Sequence, residues 1–232
     1  GTRMGAYINF SQKDKEIKAQ IATSFISLEQ ARLNLQREIP GWSLKQVYEN
    51  TKKEWNDKLS RLTIKGGSAR EARIFYTALY HSYLFPREFS EYGRYYSAFD
   101  DQIHEGISYN DYSLWDTFRA FHPLMTLLEP QLTGDWITSL LQIYKEGGWL
   151  PMWPNPTYTN IMIATHADAV IADAYMKGIR NFDVNLAYEA IRKDAMVPPD
   201  CDTNRKYGDR DYWTSYEGRA GASYYHSIGY VP

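Results

Sequence analysis

The spacing of apolar and polar positions divides the chain into a short alternating start and a long helical remainder. Residues 7–10 and 15–26 alternate, with Ile17, Ala19 and Ile21 on one side, which predicts two strands. Beyond residue 27 the apolar positions recur three and four residues apart, which indicates amphipathic helices. We expect helices over 27–38, 44–62, 69–85, 113–128, 133–146, 162–178 and 184–196, a hairpin within 92–108, and a last helix near 215–225.

The first three predicted helices share a capping pattern. A Ser followed three residues later by Gln or Glu lets both side chains bond backbone N–H groups of the first turn. This pattern occurs with Ser27, Ser43 and Ser68 as the predicted N-caps. These residues therefore predict where the first three helices begin.

Short turns alternate with long, aromatic-rich loops between the predicted helices. This rhythm is typical of helix pairs arranged in a ring, with the long loops gathered at one end. We therefore predict a mainly α fold, a partial (α/α)6 toroid (an α/α barrel) preceded by short β-strands. An irregular helix bundle is the alternative. The helices are too few to close six pairs, so we expect further C-terminal sequence in the parent protein.

Composition narrows the functional classes. The 232-residue chain is 44% hydrophobic, with a net charge of −2 and no basic block, which disfavours nucleic-acid binding. No apolar run is long enough for a membrane helix, and no signal peptide is visible. Cys201 is the single cysteine, so no intrachain disulfide is possible. The 20 Tyr and 7 Trp favour a groove where rings present a polar tip.

Residues 148–156 read GWLPMWPNP and form the most distinctive segment, the Trp-Pro loop. Three prolines fix the backbone and remove hydrogen-bond donors, so the segment is a stiff loop rather than a helix or a strand. Flat indole rings on such a loop are typical of a sugar-binding wall. Trp149, Trp153 and Asn155 are therefore candidate substrate-binding residues.

A second candidate segment, 112–119 (YSLWDTFR), places a carboxylate and a guanidinium on one side of a predicted helix. Asp116 and Arg119 are three residues apart among aromatic neighbours. We interpret Asp116 and Arg119, which lie between Trp115 and Phe118, as functional residues, with a structural ion pair between Asp116 and Arg119 as the alternative. Asp111 is better explained as a helix cap.

A third segment opens an apolar helix with His166 and Asp168. Side chains two residues apart on a helix diverge, so this segment alone does not predict a metal site. Asp168 either binds a hydroxyl or caps the helix, and the residues leave both interpretations open.

The remaining acidic residues have no spacing that identifies a chemistry. Hydrolysis of a glycoside needs two carboxyl groups on opposite sides of the bond, and we interpret most hairpin carboxylates as loop charges. The acidic loop over 200–211 lacks EF-hand spacing and contains Lys and Arg, which favours a plain solvent loop. The hairpin carboxylates are Glu88, Glu91, Asp100, Asp101 and Glu105.

Together, the segments 112–119, 148–155 and 165–175 (THADAVIADAY) resemble the glycoside hydrolase family 92 (GH92) α-mannosidases. Residues 24–35 resemble the segment that joins the N-terminal β-sandwich of these enzymes to their catalytic (α/α)6 barrel. The three motifs occur in the same order as in the family, and the resemblance covers nearly the whole chain.

The resemblance implies a domain organisation. Residues 1–26 would be the end of the β-sandwich domain, 27–66 linker helices, and 67–232 the first part of a truncated catalytic barrel. The β-strands predicted at the start would then belong to the β-sandwich.

The resemblance also implies an exo-acting, inverting α-mannosidase, often α-1,2-specific, that needs calcium and acts on mannose-containing glycans such as N-glycans. Such enzymes are exported bacterial proteins, periplasmic, extracellular or at the cell surface. Their general acid is a Glu in an Asn-Glu-Pro motif and their base an Asp in a Gly-Asn-Asp motif, and neither motif occurs in this chain. We therefore expect the catalytic pair and the calcium ligands outside this chain, and assign no catalytic residue or metal ligand here.

The resemblance implies substrate-binding roles for the residues of this chain that match the three family motifs. The matching positions are Trp115, Asp116, Arg119, Trp149, Trp153, Asn155, His166 and Asp168. The chain alone is expected to be inactive, and the alternative function is a non-catalytic carbohydrate-binding or structural helical unit. Half a toroid exposes apolar helix faces, so we also expect self-association or binding of the missing half.

Overall fold

Helices make up most of the described chain, as the periodicity predicts. The structure, a computed structural model, describes residues 5–11, 16–159, 161–162, 164–198, 219 and 221–230. In chain order the helices are α1 (Leu28–Glu38), α2 (Leu44–Leu59), α3 (Ala69–Ser82), α4 (Leu114–Thr117), α5 (Phe121–Leu128), α6 (Pro130–Gly147), α7 (His166–Met176), α8 (Val184–Met196) and α9 (Ala222–Ile228). Within the same residues lie the short strands β1 (Arg87–Glu88), β2 (Arg94–Ser97), β3 (Gln102–Glu105) and β4 (Tyr109–Asn110). β1 pairs antiparallel with β4, and β2 pairs antiparallel with β3 to form the predicted hairpin.

The chain divides into two compact units, Gly1–Lys53 and Glu54–Pro232. In the N-terminal unit, Asn34 on α1 donates to the Thr23 carbonyl and accepts from Gln30, each at 3.1 Å. These bonds hold the segment before α1 against that helix. The predicted domain boundaries at 26 and 66 stay predictions.

The three predicted capping hydroxyls are confirmed. Ser27 Oγ accepts from the Gln30 N–H at 3.1 Å, and Ser43 Oγ accepts from the Gln46 N–H at 3.2 Å. Ser68 forms a complete capping box, because the carboxylate of Glu71 also accepts from the Ser68 N–H at 2.7 Å. Local sequence therefore determined the starts of these helices.

The two predicted strands at the start of the chain are not formed. Residues 5–11 and 16–26 contain no strand, and Tyr7 and Ile21 expose more than four fifths of their surface. Alternation supplies an apolar face, but a strand also needs a hydrogen-bonded neighbour. No such neighbour is present among the described residues, so the pattern alone does not produce a ladder.

The single helix predicted over 113–128 is two helices. α4 ends at Thr117 and α5 begins at Phe121, with a turn over 118–120. The next helix begins at Pro130 rather than at 133, because proline suits the first helical turn, where a backbone N–H has no intrahelical acceptor. Arg119 consequently lies in the turn. The predicted pairing of Arg119 with Asp116 required both residues to lie on one helix, which they do not.

Some sequence predictions fall on residues that the structure does not describe. Cys201 and the acidic loop over 200–211 lie outside the described residues, as does the part of the last predicted helix at 215–218. None of the helices in the described ranges is long and apolar enough to cross a membrane.

α6 is the centre of the C-terminal unit, since it contacts α5, α7, α8 and β4. Its buried apolar side chains recur at helical spacing, as the periodicity predicts. They are Trp136, Ile137, Leu140, Leu141 and Ile143. Neighbouring elements complete this core with Tyr112, Leu114, Met125, Val170 and Ile171.

A buried carboxylate lies between α5 and α6. Glu129, 5% exposed, accepts from Lys58 Nζ at 3.3 Å, Arg61 Nε at 3.0 Å and the Tyr83 hydroxyl at 3.2 Å. Burial, together with the charge of Glu129, raises the pKa of Tyr83 to about 12. This cluster joins the end of α2 and the end of α3 to the α5–α6 corner.

An apolar groove of 440 Å³ remains open along α7 and α8. Tyr175, Met176 and Tyr188 line it, and Met176 exposes 80% of its surface. Contiguous exposed apolar surface is typical of an interaction face. Self-association, or packing of further barrel helices here, stays a prediction.

We expect Glu129→Gln to lower the free energy of unfolding by about 2 kcal/mol, because hydrogen bonds to a charged group contribute about 1.5–3 kcal/mol and two cations lose their counter-ion. Urea denaturation measures this change. Glu49→Gln, an exposed residue on α2, is the matched control and should leave the free energy of unfolding unchanged. An equal response of the two variants would contradict the role of the Glu129 cluster.

Acidification should destabilise the C-terminal unit through His122. This side chain is 2% exposed, and burial lowers its pKa to about 4 from an ordinary value of 6.5. The fold holds the neutral ring, so its contribution is complete above pH 6.5 and is lost as the pH falls towards 4. Between pH 7.5 and pH 5 this loss is about 2 kcal/mol.

The prediction is checked by urea denaturation of His122→Gln at several pH values. Gln does not titrate, so the loss of stability between pH 7.5 and pH 5 should shrink by about 2 kcal/mol relative to the unmodified protein. His81→Gln, at an exposed position on α3, is the control and should preserve the original slope. An unchanged slope in His122→Gln would show that His122 does not carry the pH dependence.

Candidate functional site

The Trp-Pro loop begins where α6 ends. Gly148 is the C-cap with a φ of +90°, in the left-handed region that favours glycine, and its N–H donates to the Tyr144 carbonyl at 2.9 Å. The chain then leaves the helix axis. Leu150, Pro151, Met152 and Pro154 are buried, whereas Trp149 and Trp153 are half-buried. The apolar residues between the indoles therefore anchor the loop and leave the indoles at its surface.

Tyr158 fastens this loop to the end of α6. Its hydroxyl accepts from the Trp149 N–H at 3.1 Å and donates to the Trp149 carbonyl at 2.6 Å. The close approach depends on Gly147, because a Cβ there would lie 2.3 Å from the Tyr158 oxygen. The sequence analysis missed Tyr158. Its position just after the Trp-Pro loop and the Gly147–Gly148 pair were the available signals.

The first and third motifs meet in a four-residue stack. The guanidinium carbon of Arg119 lies 4.9 Å from the centroid of the Trp115 ring and 4.7 Å from that of Phe118. On Phe118 the ring of His166 stacks with a centroid distance of 4.2 Å and an interplanar angle of 7°. We call Trp115, Phe118, Arg119 and His166 the aromatic stack. Phe118, which the sequence analysis did not select, is the residue that joins the two motifs.

Asp116 follows the stack residue Trp115 in the sequence and is exposed. The structural alternative, an ion pair with Arg119, is wrong: of the ion pairs in the described residues, none joins these two side chains. Arg119 is instead held over aromatic rings, because the turn at 118–120 moves it off the α4 helix. The Asp116 side chain is therefore exposed and unpaired with the Arg119 guanidinium, which lies over aromatic rings instead.

The interpretation of Asp111 as a helix cap is also wrong. The N-cap of α4 is Ser113, and its side chain makes no capping bond. Asp111 is buried with a φ of +62° and accepts from Arg87 Nε at 2.5 Å. The Arg87–Asp111 pair fixes the turn that leads from β4 into the first motif.

The Trp-Pro loop is joined to this same turn. Asn110, next to Asp111 on β4, donates through Nδ2 to the Pro156 carbonyl at 2.6 Å. Asn155, the candidate residue before Pro156, is exposed, and the peptide between the two is cis. The structure therefore connects the Trp-Pro loop to the start of the first motif, whereas the first and third motifs touch directly.

Asp168 is buried and bonds to residues outside the aromatic stack, in keeping with the divergence of positions 166 and 168 on a helix. Its Oδ2 accepts from the Thr165 hydroxyl at 2.7 Å and from Arg219 Nη2 at 2.6 Å. Burial raises the pKa of the Asp168 carboxyl, while these two donors oppose the rise. Arg219 was not selected from the sequence, because it lies fifty-one positions from Asp168 along the chain.

The hairpin carboxylates make local bonds. Asp100 Oδ2 lies 2.8 Å from His104 Nε2, Asp101 accepts from the Tyr96 hydroxyl at 2.7 Å, and Glu88 accepts from the Ser90 hydroxyl at 2.7 Å. In the described part of the chain, no group of three or more His, Cys, Asp or Glu is arranged to hold a metal ion.

The chain is similar to glycoside hydrolases. A family model described as the glycosyl hydrolase family 92 catalytic domain matches residues 30–232. A curated relative from Arthroderma benhamiae, named an uncharacterized secreted glycosidase, is 32% identical over 242 residues. That match covers 99% of this chain and 26% of the relative.

Solved structures agree. A family GH92 inverting mannosidase from Bacteroides thetaiotaomicron is 36% identical with a TM-score of 0.80, over 90% of this chain and 27% of that one. A family GH92 alpha-mannosidase from the same species, in complex with mannoimidazole, is 29% identical with a TM-score of 0.76, over 90% and 26%. The chain spans about a quarter of the length of these relatives.

These similarities confirm the predicted family resemblance and fold class. The matched GH92 structures contain an (α/α)6 barrel and a β-sandwich domain, and the mainly helical structure of this chain corresponds to part of them. The substrate-binding roles of individual residues stay predictions.

Tyr158→Phe should loosen the Trp-Pro loop. The variant removes the hydroxyl that bonds both backbone groups of Trp149, so we expect the free energy of unfolding to fall by about 1–2 kcal/mol. Limited proteolysis should also cut within 149–158 sooner. Tyr96→Phe, which removes an exposed bond to Asp101, is the matched control and should change neither measurement. Unchanged proteolysis in Tyr158→Phe would contradict the proposed fastening.

Proposed function

We propose a function from one premise: the chain belongs to glycosyl hydrolase family 92. The full-length protein is an exo-acting, inverting α-mannosidase, with α-1,2 linkages as its preferred target, that acts on mannose-containing oligosaccharides. This chain contributes part of the wall that binds the terminal sugar. The names of two similar structures, both mannosidases of this family, support the substrate class.

The observation that carries the proposal is the aromatic stack with Asp116 beside it. Rings offer apolar faces to the C–H side of a pyranose, and Trp115 is half-buried. The Arg119 guanidinium is held over two rings, so its N–H groups are oriented to donate to a hydroxyl. The exposed Asp116 carboxylate accepts from another hydroxyl. A planar surface with one donor and one acceptor matches a sugar.

The other candidate residues extend this wall. Trp149 and Trp153 are half-buried on the Trp-Pro loop, and Asn155 is exposed at its tip. His166 supports the wall from behind, through its stacking on Phe118. Asp168 is assigned to the same site through its place at the start of α7, where its bonds to Thr165 and Arg219 hold the segment before the helix.

We assign no catalytic acid, base or calcium ligand to this chain. Inversion requires an acid and a base about 6.5–9.5 Å apart on opposite sides of the bond, and the hairpin carboxylates instead make local bonds. Calcium dependence of the full-length protein is part of the proposal, with ligands supplied by other segments. Export to the periplasm or the cell surface is proposed as well, supported by the secreted glycosidase named among the relatives.

A non-catalytic carbohydrate-binding unit is the second candidate. It is favoured by the same stack together with the absence of Asn-Glu-Pro and Gly-Asn-Asp motifs from this sequence. Both candidates predict sugar binding, but only the first predicts hydrolysis.

Hydrolysis of α-1,2-mannobiose by the full-length protein separates these candidates. We expect mannose release in calcium, loss of release in excess EDTA and recovery on adding calcium. Proton NMR of the first product should show the β-anomer, because inversion changes the α-configuration of the substrate. Sugar binding without release would favour the binding unit. Release that is insensitive to EDTA would overturn calcium dependence alone, and an α-product would overturn inversion.

Asp116→Asn should weaken the proposed site. A hydrogen bond to a charged acceptor contributes about 1.5–3 kcal/mol, so kcat/KM for the mannobiose should fall about 10- to 100-fold. Asp173→Asn, an exposed carboxylate on α7 that pairs with Lys177, is the matched control and should stay within twofold. Equal kcat/KM values for Asp116→Asn and the unmodified protein would remove Asp116 from the site.

A further inference from the structure

A lysine from α8 contacts the first indole of the Trp-Pro loop. Lys193 Nζ lies 4.4 Å from the centroid of the Trp149 ring and donates to the Gly148 carbonyl at 2.7 Å. It also lies 5.8 Å from the centroid of the Tyr144 ring. One ammonium group therefore contacts the last turn of α6, the cap of that helix and the indole that follows.

The position of Lys193 is fixed by Glu189, which lies one turn earlier on α8. Glu189 accepts from the Tyr144 hydroxyl at 2.9 Å, so positions 189 and 193 both reach the end of α6 from one face of α8. Two bonds from the same face leave α8 little freedom to rotate against α6. Lys193 is thereby directed at the Trp-Pro loop by the packing of two helices.

We propose that Lys193 is a positioning residue for sugar binding, which holds the Trp149 indole in its orientation by a cation–π contact from behind. This inference rests on the proposed function, because it assigns Trp149 to the substrate wall. The ammonium occupies one face of the indole, so a pyranose stacks only on the other face. A lysine so placed determines which face of Trp149 is offered and keeps the ring from rotating.

A merely structural role makes a different prediction. A cation near the last carbonyl groups of a helix stabilises that helix end, and Lys193 bonds the carbonyl of the α6 C-cap. That role would affect stability and leave substrate affinity unchanged. The positioning role affects both, and its effect on affinity requires the Trp149 ring.

The test uses Lys193→Met, which keeps an apolar stem and removes the charge, and Lys193→Arg, which keeps a cation that stacks on aromatic rings. In the full-length protein we expect Lys193→Met to raise KM for α-1,2-mannobiose about tenfold with kcat within twofold. Lys193→Arg should recover most of the affinity. Arg192→Met removes the same charge from the preceding position on α8, which is exposed. Its KM and kcat should match those of the unmodified protein.

A double-mutant cycle with Trp149→Leu, which removes the aromatic ring, gives a readout that does not depend on activity. If Lys193 acts on the indole, the effect of Lys193→Met on urea unfolding should be smaller when Trp149 is already Leu. Additive effects would overturn the inference whatever the kinetics show. Coupled unfolding with an unchanged KM would also overturn it, and would leave the helix-end role.

Failure of the proposed function is recognised separately. If the unmodified full-length protein neither hydrolyses nor binds the mannobiose, the function is wrong and the sugar-positioning role falls with it. If the unmodified protein is active but Trp149→Leu keeps its KM, only the assignment of Trp149 and Lys193 is overturned. Circular dichroism of each variant confirms that the helices remain intact.

Discussion

Burial of α6 is the interaction on which the rest of the C-terminal unit depends. The elements around it carry the candidate site: α7 brings His166, α8 brings Lys193, and β4 leads into the first motif. Each packs on a different part of one apolar helix, so their relative positions follow from a single core. Phe118 of the aromatic stack packs directly against this core, and the elements that the core holds together position the other site residues.

The end of α6 connects the packed core to the half-buried indoles of the Trp-Pro loop. Gly147 admits the Tyr158 side chain, and Gly148 adopts the left-handed conformation that turns the chain off the helix. In the Trp-Pro loop, prolines restrict the backbone in place of helical hydrogen bonds. The Tyr158 hydroxyl bonds the N–H and the carbonyl of Trp149. A stiff loop loses little conformational entropy when a ligand binds, which suits a wall that must hold flat rings in place.

Sequence reasoning succeeded where the determining contacts are local. The capping hydroxyls at Ser27, Ser43 and Ser68 and the apolar stripe of α6 depend on residues within one or two turns, so their patterns are visible in the sequence. It failed where a partner decides the outcome. The segments over 7–10 and 15–26 have strand-like alternation but no neighbouring strand in the described residues. Asp111 lies where a helix cap is expected from the sequence. Its carboxylate instead accepts a hydrogen bond from Arg87, which is twenty-four positions away.

The same distinction between local and distant contacts applies to the two parts of the proposed function, sugar binding and catalysis. A sugar-binding surface needs rings with fixed orientations and a few polar groups, and the motif 112–119 supplies most of these within one turn and a short helix. Its sequence signature is therefore compact. An inverting pair must flank the scissile bond from two sides, which requires carboxylates from segments that lie apart in the fold. A chain that spans about a quarter of its relatives can contain a complete recognition motif while the reacting groups belong to other segments. In the proposed function, the aromatic stack therefore contributes to sugar binding, and the acid and base are assigned to segments outside this chain.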